Sequence, residues 1–254
     1  MSKTIVFIPS RLASTRCPNK PLADINGKSM ILRIYENVKN MTDYDVCVAA
    51  GDPEIVEEIV KNGGEAILTD PTLPSGSDRI YAALQKIDPD GTKYDRAVSF
   101  QGDAINVNPN AITALVELQE KTGADVTTPV KIMDEKDYYQ PNFVKVAAGF
   151  KEGEDEARAL YFSRSLIPFD RDADNKREIY DHVGIYVYKV ESLKKFISSP
   201  VGILEKREML EQLRVMELGM SIYVKLLKEI KLIKEAPADV DTPEELELCR
   251  KYIK

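Results

Sequence analysis

The sequence predicts an α/β fold whose core is a mostly parallel, doubly wound sheet. Short apolar runs of strand length alternate four times with amphipathic helical segments over roughly the first 120 residues. The links between them are short, as crossover connections in such a sheet tend to be. A loop dense in cations and hydroxyls follows the first run, where open α/β sheets carry their ligand-binding loops.

Ile5–Ile8 is long enough for a buried strand and too short for a helix. The loop behind it runs to Leu22 and holds Arg11, Arg16 and Lys20 among Ser10, Ser14 and Thr15. Pro9, Pro18 and Pro21 bar a regular helix there. Lys28–Asn40 has helical apolar spacing, and Asp45–Ala50 is a second strand. Pro53 suits the first turn of a helix through Lys61, which Gly63-Gly64 stops. Glu65–Leu68 is a third strand. The stretch LPSGSDR (Leu73–Arg79) precedes a helix ending about Ile87. Tyr94–Phe100 is a fourth strand, and Pro109–Lys121 a further helix.

The second half predicts an inserted antiparallel region, because several of its strands alternate. These are Asp125–Val130, Phe143–Ala148, Ala157–Phe162 and His182–Tyr188. Ser165–Tyr180 reads as a loop or lid. Val190–Ile197 and Leu204–Leu218 read as helices, and Ser221–Leu226 as a strand. Asp241 or Thr242 caps a last helix whose first turn takes Pro243 and acidic residues. With no internal repeat or flexible linker, residues 1–254 are expected to form a single domain.

A net charge of −7 argues against a nucleic-acid surface but leaves room for a local basic site. No apolar stretch is long enough to span a membrane, and no secretory signal is expected. Three widely spaced cysteines fit a reducing, cytoplasmic setting and neither a disulfide scaffold nor a zinc site. Cys17 lies in the polar loop, but a nucleophilic thiol needs a base beside it, and the single histidine is far along the chain.

The opening loop has two readings: a solvated basic loop, or a phosphate holder in which Arg forks and a Lys charge meet phosphate oxygens. It is not a Walker motif. Asp103, at the end of the fourth strand, is either a turn residue or a Mg2+ ligand, and Asp241 is either a helix cap or a second ligand. A lone His182 is more often a hydrogen-bonded structural residue than a catalyst.

Taken together, the motifs carry a resemblance. IPSRLASTRCPNKPL, PSGSDR (Pro74–Arg79), ALYFSRSLIP (Ala159–Pro168), HVGIY (His182–Tyr186), LEQLR (Leu210–Arg214) and VDTPEEL (Val240–Leu246) are similar, in order and spacing, to the 3-deoxy-manno-octulosonate cytidylyltransferases, the CMP-KDO synthetases. The resemblance implies a Rossmann-like nucleotide-sugar transferase fold and a Mg2+-dependent enzyme. Such an enzyme joins CTP to a 3-deoxy-octulosonic acid and releases pyrophosphate, for lipopolysaccharide biosynthesis. It implies that Pro9, Arg11, Arg16, Lys20, Ser75, Gly76 and Gln101 hold the nucleotide. Arg79, Arg164, His182, Tyr186, Glu211 and Gln212 would contact the sugar acid. Asp103 and Asp241 would hold Mg2+, with Arg11 and Lys20 beside them in catalysis. It implies a nucleotide-binding half over residues 1–123, and a sugar-binding half over 124–254 that carries a homodimer interface. Two departures stand out. The family's Gln-Gly-Asp-Glu-Pro reads Gln101-Gly102-Asp103-Ala104-Ile105 here, and its Ala-Thr-Asp reads Ala49-Ala50-Gly51-Asp52. These departures leave room for a modified octulosonate, another acidic sugar such as a sialic-acid-like nonulosonate, or a non-catalytic nucleotide-binding relative.

Overall fold

In a computed structural model that describes residues 3–13, 17–171 and 178–254, the chain divides into two compact units. One is Met1–Ile112 with Ile230–Lys254; the other is Thr113–Glu229.

The first unit opens with β1 (Thr4–Ser10), buried along its whole length. A two-strand ribbon, β2 (Asp24–Ile25) and β3 (Lys28–Ser29), leads into α1 (Met30–Met41). Then come β4 (Asp45–Ala50), α2 (Pro53–Lys61), β5 (Ala66–Leu68), α3 (Gly76–Ile87) and β6 (Arg96–Ser99). The sheet order is β5-β4-β1-β6, and every pairing is parallel. Strands covered on both faces read as unbroken apolar runs, which is why Ile5–Ile8 and Val46–Ala50 lack polar alternation. Each flanking helix turns one apolar stripe inward: Ile31, Ile34 and Val38 from α1, Ile55 and Ile59 from α2, Ile80, Ala83 and Leu84 from α3.

Helix α4 (Ala111–Thr122) leads into the second unit. This unit holds β7 (Val126–Ile132), β8 (Lys145–Ala148), β9 (Glu156–Ser163), β10 (Tyr180–His182) and β11 (Tyr186–Lys189). Next are α5 (Val190–Ile197), α6 (Ile203–Glu208), α7 (Gln212–Glu217) and β12 (Ile222–Leu226). The pairing runs β7-β12-β9-β8-β10 and returns to β7, so these five strands close on themselves. All pairs but β7–β12 are antiparallel, as the alternation predicts. The chain re-enters the first unit at Ile230 and ends in α8 (Pro243–Tyr252).

Three elements differ from the sequence reading. α3 starts at Gly76, so the Ser75–Arg79 motif is a helix cap and first turn, where a loop was expected. The strand expected over His182–Tyr188 is broken between β10 and β11. Pro129 on β7 has no N–H to continue the ladder, and its carbonyl accepts from Val183 N–H (3.1 Å). The helix expected over Leu204–Leu218 is two helices, because Met209 adopts a left-handed conformation (φ 54°). At the last helix Thr242 is the cap, its hydroxyl accepting from Glu245 N–H (3.2 Å), and Asp241 is left for other work. Part of the expected lid, residues 172–177, lies outside the described residues.

Candidate active site

The loops after β1, β4 and β6 meet at one sheet edge because the backbone ties them there. Gly51 N–H donates to Ser10 O (2.8 Å), and Phe100 N–H to Phe7 O (2.9 Å). A Cβ at Gly102 would lie 2.3 Å from the Pro9 carbonyl oxygen, so only glycine lets the Gln101–Asp103 loop seat against β1. Asp52 stands at the N-cap of α2 but turns its carboxylate to Leu12 N–H (2.8 Å), pinning the start of the basic loop.

These loops, with the N-terminus of α3 and the approach to α8, enclose a cleft of about 410 Å³. Pro9, Arg11, Lys20, Ser75, Gly76, Arg79, Gln101, Asp103 and Asp241 all line it. Arg16 lies outside the described residues.

Two features give the cleft its chemistry. The first is an anion site. Arg79 is 2% exposed, and its Nη1 donates to Thr69 Oγ1 (2.6 Å) and Asp70 O (3.1 Å). Burial lowers the Arg79 pKa and the neighbouring Arg11 charge lowers it further, while Asp52 and Asp70 offset part of the effect. A guanidinium stays charged through this, so two like charges share one wall. Ser75 caps α3 beside them, its Oγ accepting from Asp78 N–H (3.2 Å) and donating to Asp78 Oδ2 (2.7 Å). The positive end of a twelve-residue helix therefore adds to the two guanidiniums. Gly51 is what admits Arg79: a Cβ there would lie 2.8 Å from Nη1.

The second feature is a cation seat. Lys20 Nζ donates to Asp103 Oδ2 (2.9 Å), Asp241 Oδ1 (3.2 Å) and Val240 O (2.6 Å). Burial works against the Lys20 charge, yet Asp103 and then Asp241 outweigh it and hold its pKa above the ordinary value. All three ammonium protons are committed, so Lys20 here neutralises the carboxylate pair. The seat is an all-oxygen donor set of two carboxylates and a carbonyl, which fits a hard divalent cation.

In the second unit, His182, Tyr186 and Glu211 come together. The His182 and Tyr186 rings lie 5.2 Å apart, and burial, with Tyr188 and Glu211, pushes the Tyr186 pKa well up. His182 Nε2 is 2.9 Å from Thr128 Oγ1. Gln212 opens α7 and is buried. Arg164 donates to the carbonyls of Glu208 (2.8 Å), Pro141 (2.9 Å) and Met209 (3.3 Å) from Nε, Nη1 and Nη2. These use three of its five N–H groups. Arg214 of the LEQLR motif is structural: it pairs with Glu205 (2.7 Å) over the Phe196 ring.

Residues 5–222 match the cytidylyltransferase family. The 3-deoxy-manno-octulosonate cytidylyltransferase of Paramagnetospirillum magneticum is 40% identical over 98% of this chain and 97% of its own. That of Parvibaculum lavamentivorans is 42% identical over 97% of this chain and 91% of its own. The chain belongs to the 3-deoxy-manno-octulosonate cytidylyltransferase family. A solved CMP:2-keto-3-deoxy-manno-octonic acid synthetase in complex with CTP superposes with a TM-score of 0.87 at 33% identity, covering 98% of both chains.

For a member of the 3-deoxy-manno-octulosonate cytidylyltransferase family, the two departures have structural readings. Gly51 makes room for Arg79, and Asp52 supplies a carboxylate to the basic loop. Ala104 and Ile105 are buried and lead to Asn106, which sequence reasoning passed over. Its signal was a lone amide between Ile105 and Val107 in a turn-rich stretch.

Proposed function

We propose that this chain transfers a cytidylyl group from CTP to the anomeric hydroxyl of a 3-deoxy-octulosonic acid, with Mg2+ as cofactor. The observation that carries the reading is an oxygen-lined cation seat and a paired-guanidinium anion site in one cleft, the two halves of a site for a metal-bound triphosphate. Family membership supports cytidine as the base and the octulosonic acid as acceptor. The activated sugar would serve lipopolysaccharide assembly.

The sugar hydroxyl oxygen attacks the α-phosphorus, and the bond from that phosphorus to the bridging oxygen breaks. Pyrophosphate departs with the electron pair and the hydroxyl proton passes to solvent. Such transfers depend on positioning and on neutralising charge rather than on a protein nucleophile. Arg11 and Arg16 offset the negative charge of the phosphates, as does Arg79, which the resemblance gave to the sugar acid but which lies beside Arg11, and Ser75, Gly76, Pro9 and Gln101 bound the nucleotide. Lys20 joins them when it leaves the carboxylate pair. Asp103 and Asp241 would hold Mg2+, which supplies further charge neutralisation at the phosphate oxygens. Arg164, with two N–H groups uncommitted, suits the substrate carboxylate. His182, Tyr186, Glu211 and Gln212 suit its hydroxyls.

The test is pyrophosphate release measured over four nucleoside triphosphates and a panel of octulosonic and nonulosonic acids, with and without Mg2+. Release is expected only with CTP, Mg2+ and an octulosonic acid together. Turnover confined to a nonulosonic acid reassigns the acceptor, and CTP binding without turnover on any acid removes the catalytic reading. A homodimer is part of the proposal, supported by large exposed apolar side chains on the second unit. A cytoplasmic setting is supported by three buried cysteines, none joined in a disulfide.

A further inference from the structure

The two carboxylates of the cation seat come from chain segments that are neither helix nor regular strand where they meet. Asp103 ends the loop after β6, and Asp241 precedes α8. Backbone hydrogen bonds join the segments, among them Asn108 N–H to Ile230 O (2.8 Å), and one buried side chain adds to them. Asn106 is 1% exposed. Its Oδ1 accepts from Ile233 N–H (2.8 Å), and its Nδ2 donates to Ile233 O (2.7 Å) and Ala236 O (3.1 Å). Its backbone N–H donates to Ala238 O (3.0 Å), and its backbone carbonyl accepts from Leu232 N–H (2.9 Å). The amide thus uses both donors and its acceptor on one partner segment. Val240 N–H then donates to Asp103 O (3.1 Å), which sets the two aspartates side by side.

We propose that Asn106 is a positioning residue of the cation seat: its amide clasps Ile233 and Ala236, adding to the backbone bonds at 230–238, and so fixes the approach of Asp241 to Asp103. The inference rests on the reading of that carboxylate pair as a divalent-cation site. Asn106 touches neither Lys20 nor the carboxylates; it acts through the backbone it holds. Only an amide satisfies the partners. Leucine of similar size would leave the Ile233 N–H and carbonyl bare and Ala236 O with Lys231 alone, and aspartate would set a carboxylate oxygen against two carbonyls. Residues that orient a metal's ligands from behind typically change affinity by about ten- to a hundredfold when altered.

The test uses the full chain with Asn106→Asp and Asn106→Ser. Mn2+ binding is followed by electron paramagnetic resonance without nucleotide, alongside the Mg2+ concentration for half-maximal turnover, the KM for the sugar acid and the thermal midpoint. Mn2+ affinity is expected to fall about tenfold or more, with a matching rise in the Mg2+ requirement and a sugar KM within about twofold of the parent. A lowered midpoint with unchanged Mn2+ affinity makes Asn106 a plain structural brace and overturns the proposal. Should both variants fail to fold, Lys231→Met loosens the same segment from its other side, since Lys231 Nζ donates to Lys234 O (2.6 Å) and Ala236 O (2.9 Å). A severalfold loss of Mn2+ affinity is then expected, and an unchanged affinity overturns the clasp. Failure of the underlying reading shows differently: Mn2+ binding that Asp103→Asn and Asp241→Asn leave unaltered removes the seat itself, and the clasp with it.

Discussion

Thr128 has one proton to give, and its Oγ1 lies 2.7 Å from Ile185 O. Donating there, it must accept at Nε2 of His182, which places the imidazole proton on Nε2 and leaves Nδ1 as a free acceptor. Burial pushes the His182 pKa down to about 3, so the ring is a neutral acceptor for a hydroxyl rather than a cation. His182 is the only histidine, so nitrogen-15 NMR reads it directly. The Nε2–H tautomer is expected, unchanged from pH 8 to pH 5; an imidazolium signal appearing near pH 6.5 would contradict the geometry. The stability consequence has a definite sign. The folded pKa lies below the unfolded value of 6.5, so the unfolded chain takes up the proton first. Stability is unaffected above pH 6.5 and falls below it, by up to about 1.4 kcal/mol per pH unit. His182→Gln should flatten the fall in thermal stability between pH 6.5 and 5. At the cation seat, Asp103→Asn or Asp241→Asn should cut turnover about a hundredfold or more. Stability should change by less than about 1 kcal/mol, because these side chains are 32% and 39% exposed. Near-normal rates at low Mg2+ in either variant would remove the metal assignment. That Arg11, Lys20, Arg79, Asp103 and Asp241 would gather in one cleft was legible in sequence, because they fall in loops after strands or at helix starts. Asn106 was not, because its partners are backbone groups of a distant segment.

Two glycines set the geometry of the cleft at the level of elements. Gly51 joins β4 to α2 with its backbone outside the left-handed region, so alanine is tolerated there conformationally. Its methyl would nonetheless press on Arg79 Nη1 and on Arg11 Cβ, 3.1 Å away. Gly51→Ala should therefore leave the fold intact and raise the KM for CTP by about tenfold, since displacements near 1 Å at a positioned charge are costly. An unchanged KM would show that Arg79 does not serve the nucleotide. Gly102→Ala meets a backbone oxygen that cannot step aside, so it should lower turnover and stability together. Most elements could be read in advance where periodicity, caps and breakers agreed: α2 from Pro53 to Lys61 and α5 from Val190 to Ile197 keep their expected bounds. The misreadings came where tertiary contacts decide. The apolar run after His182 looks continuous, but Pro129 and Thr128 on the neighbouring strand claim its backbone groups. The run from Leu204 to Leu218 keeps a helical period, but Met209 turns left-handed between α6 and α7, with Glu217 capping α6 through the N–H groups of Ile203 (3.0 Å) and Leu204 (3.2 Å). The Ser75–Arg79 motif looked like a loop from its Pro-Ser-Gly opening, though Ser75 with Asp78 three residues on is itself a cap signature.

At the scale of the whole molecule, net charge and exposed surface point to different partners. A net charge of −7 disfavours nucleic acid, while Arg11, Lys20 and Arg79 give the cleft a local basic character. Its exposed apolar side chains are unevenly distributed. In the first unit they are Val60, Leu68, Leu232 and Leu248, each between 39% and 55% exposed. In the second unit Leu160 is 62%, Met209 75%, Ile203 81% and Phe169 88% exposed. Single exposed apolar residues are ordinary, but side chains this open on one unit are candidates for burial in a self-association. Covering each contributes roughly 1.5–3 kcal/mol, so three or four would offset much of the entropy lost when two chains associate. Sedimentation equilibrium at micromolar concentration is expected to give a dimer. Ile203→Glu with Met209→Glu should return a monomer that keeps its fold, because neither side chain supports the core. A wild-type chain that sediments as a monomer would sink the dimer, and a double variant that stays dimeric would move the interface off α6 and its C-terminal turn.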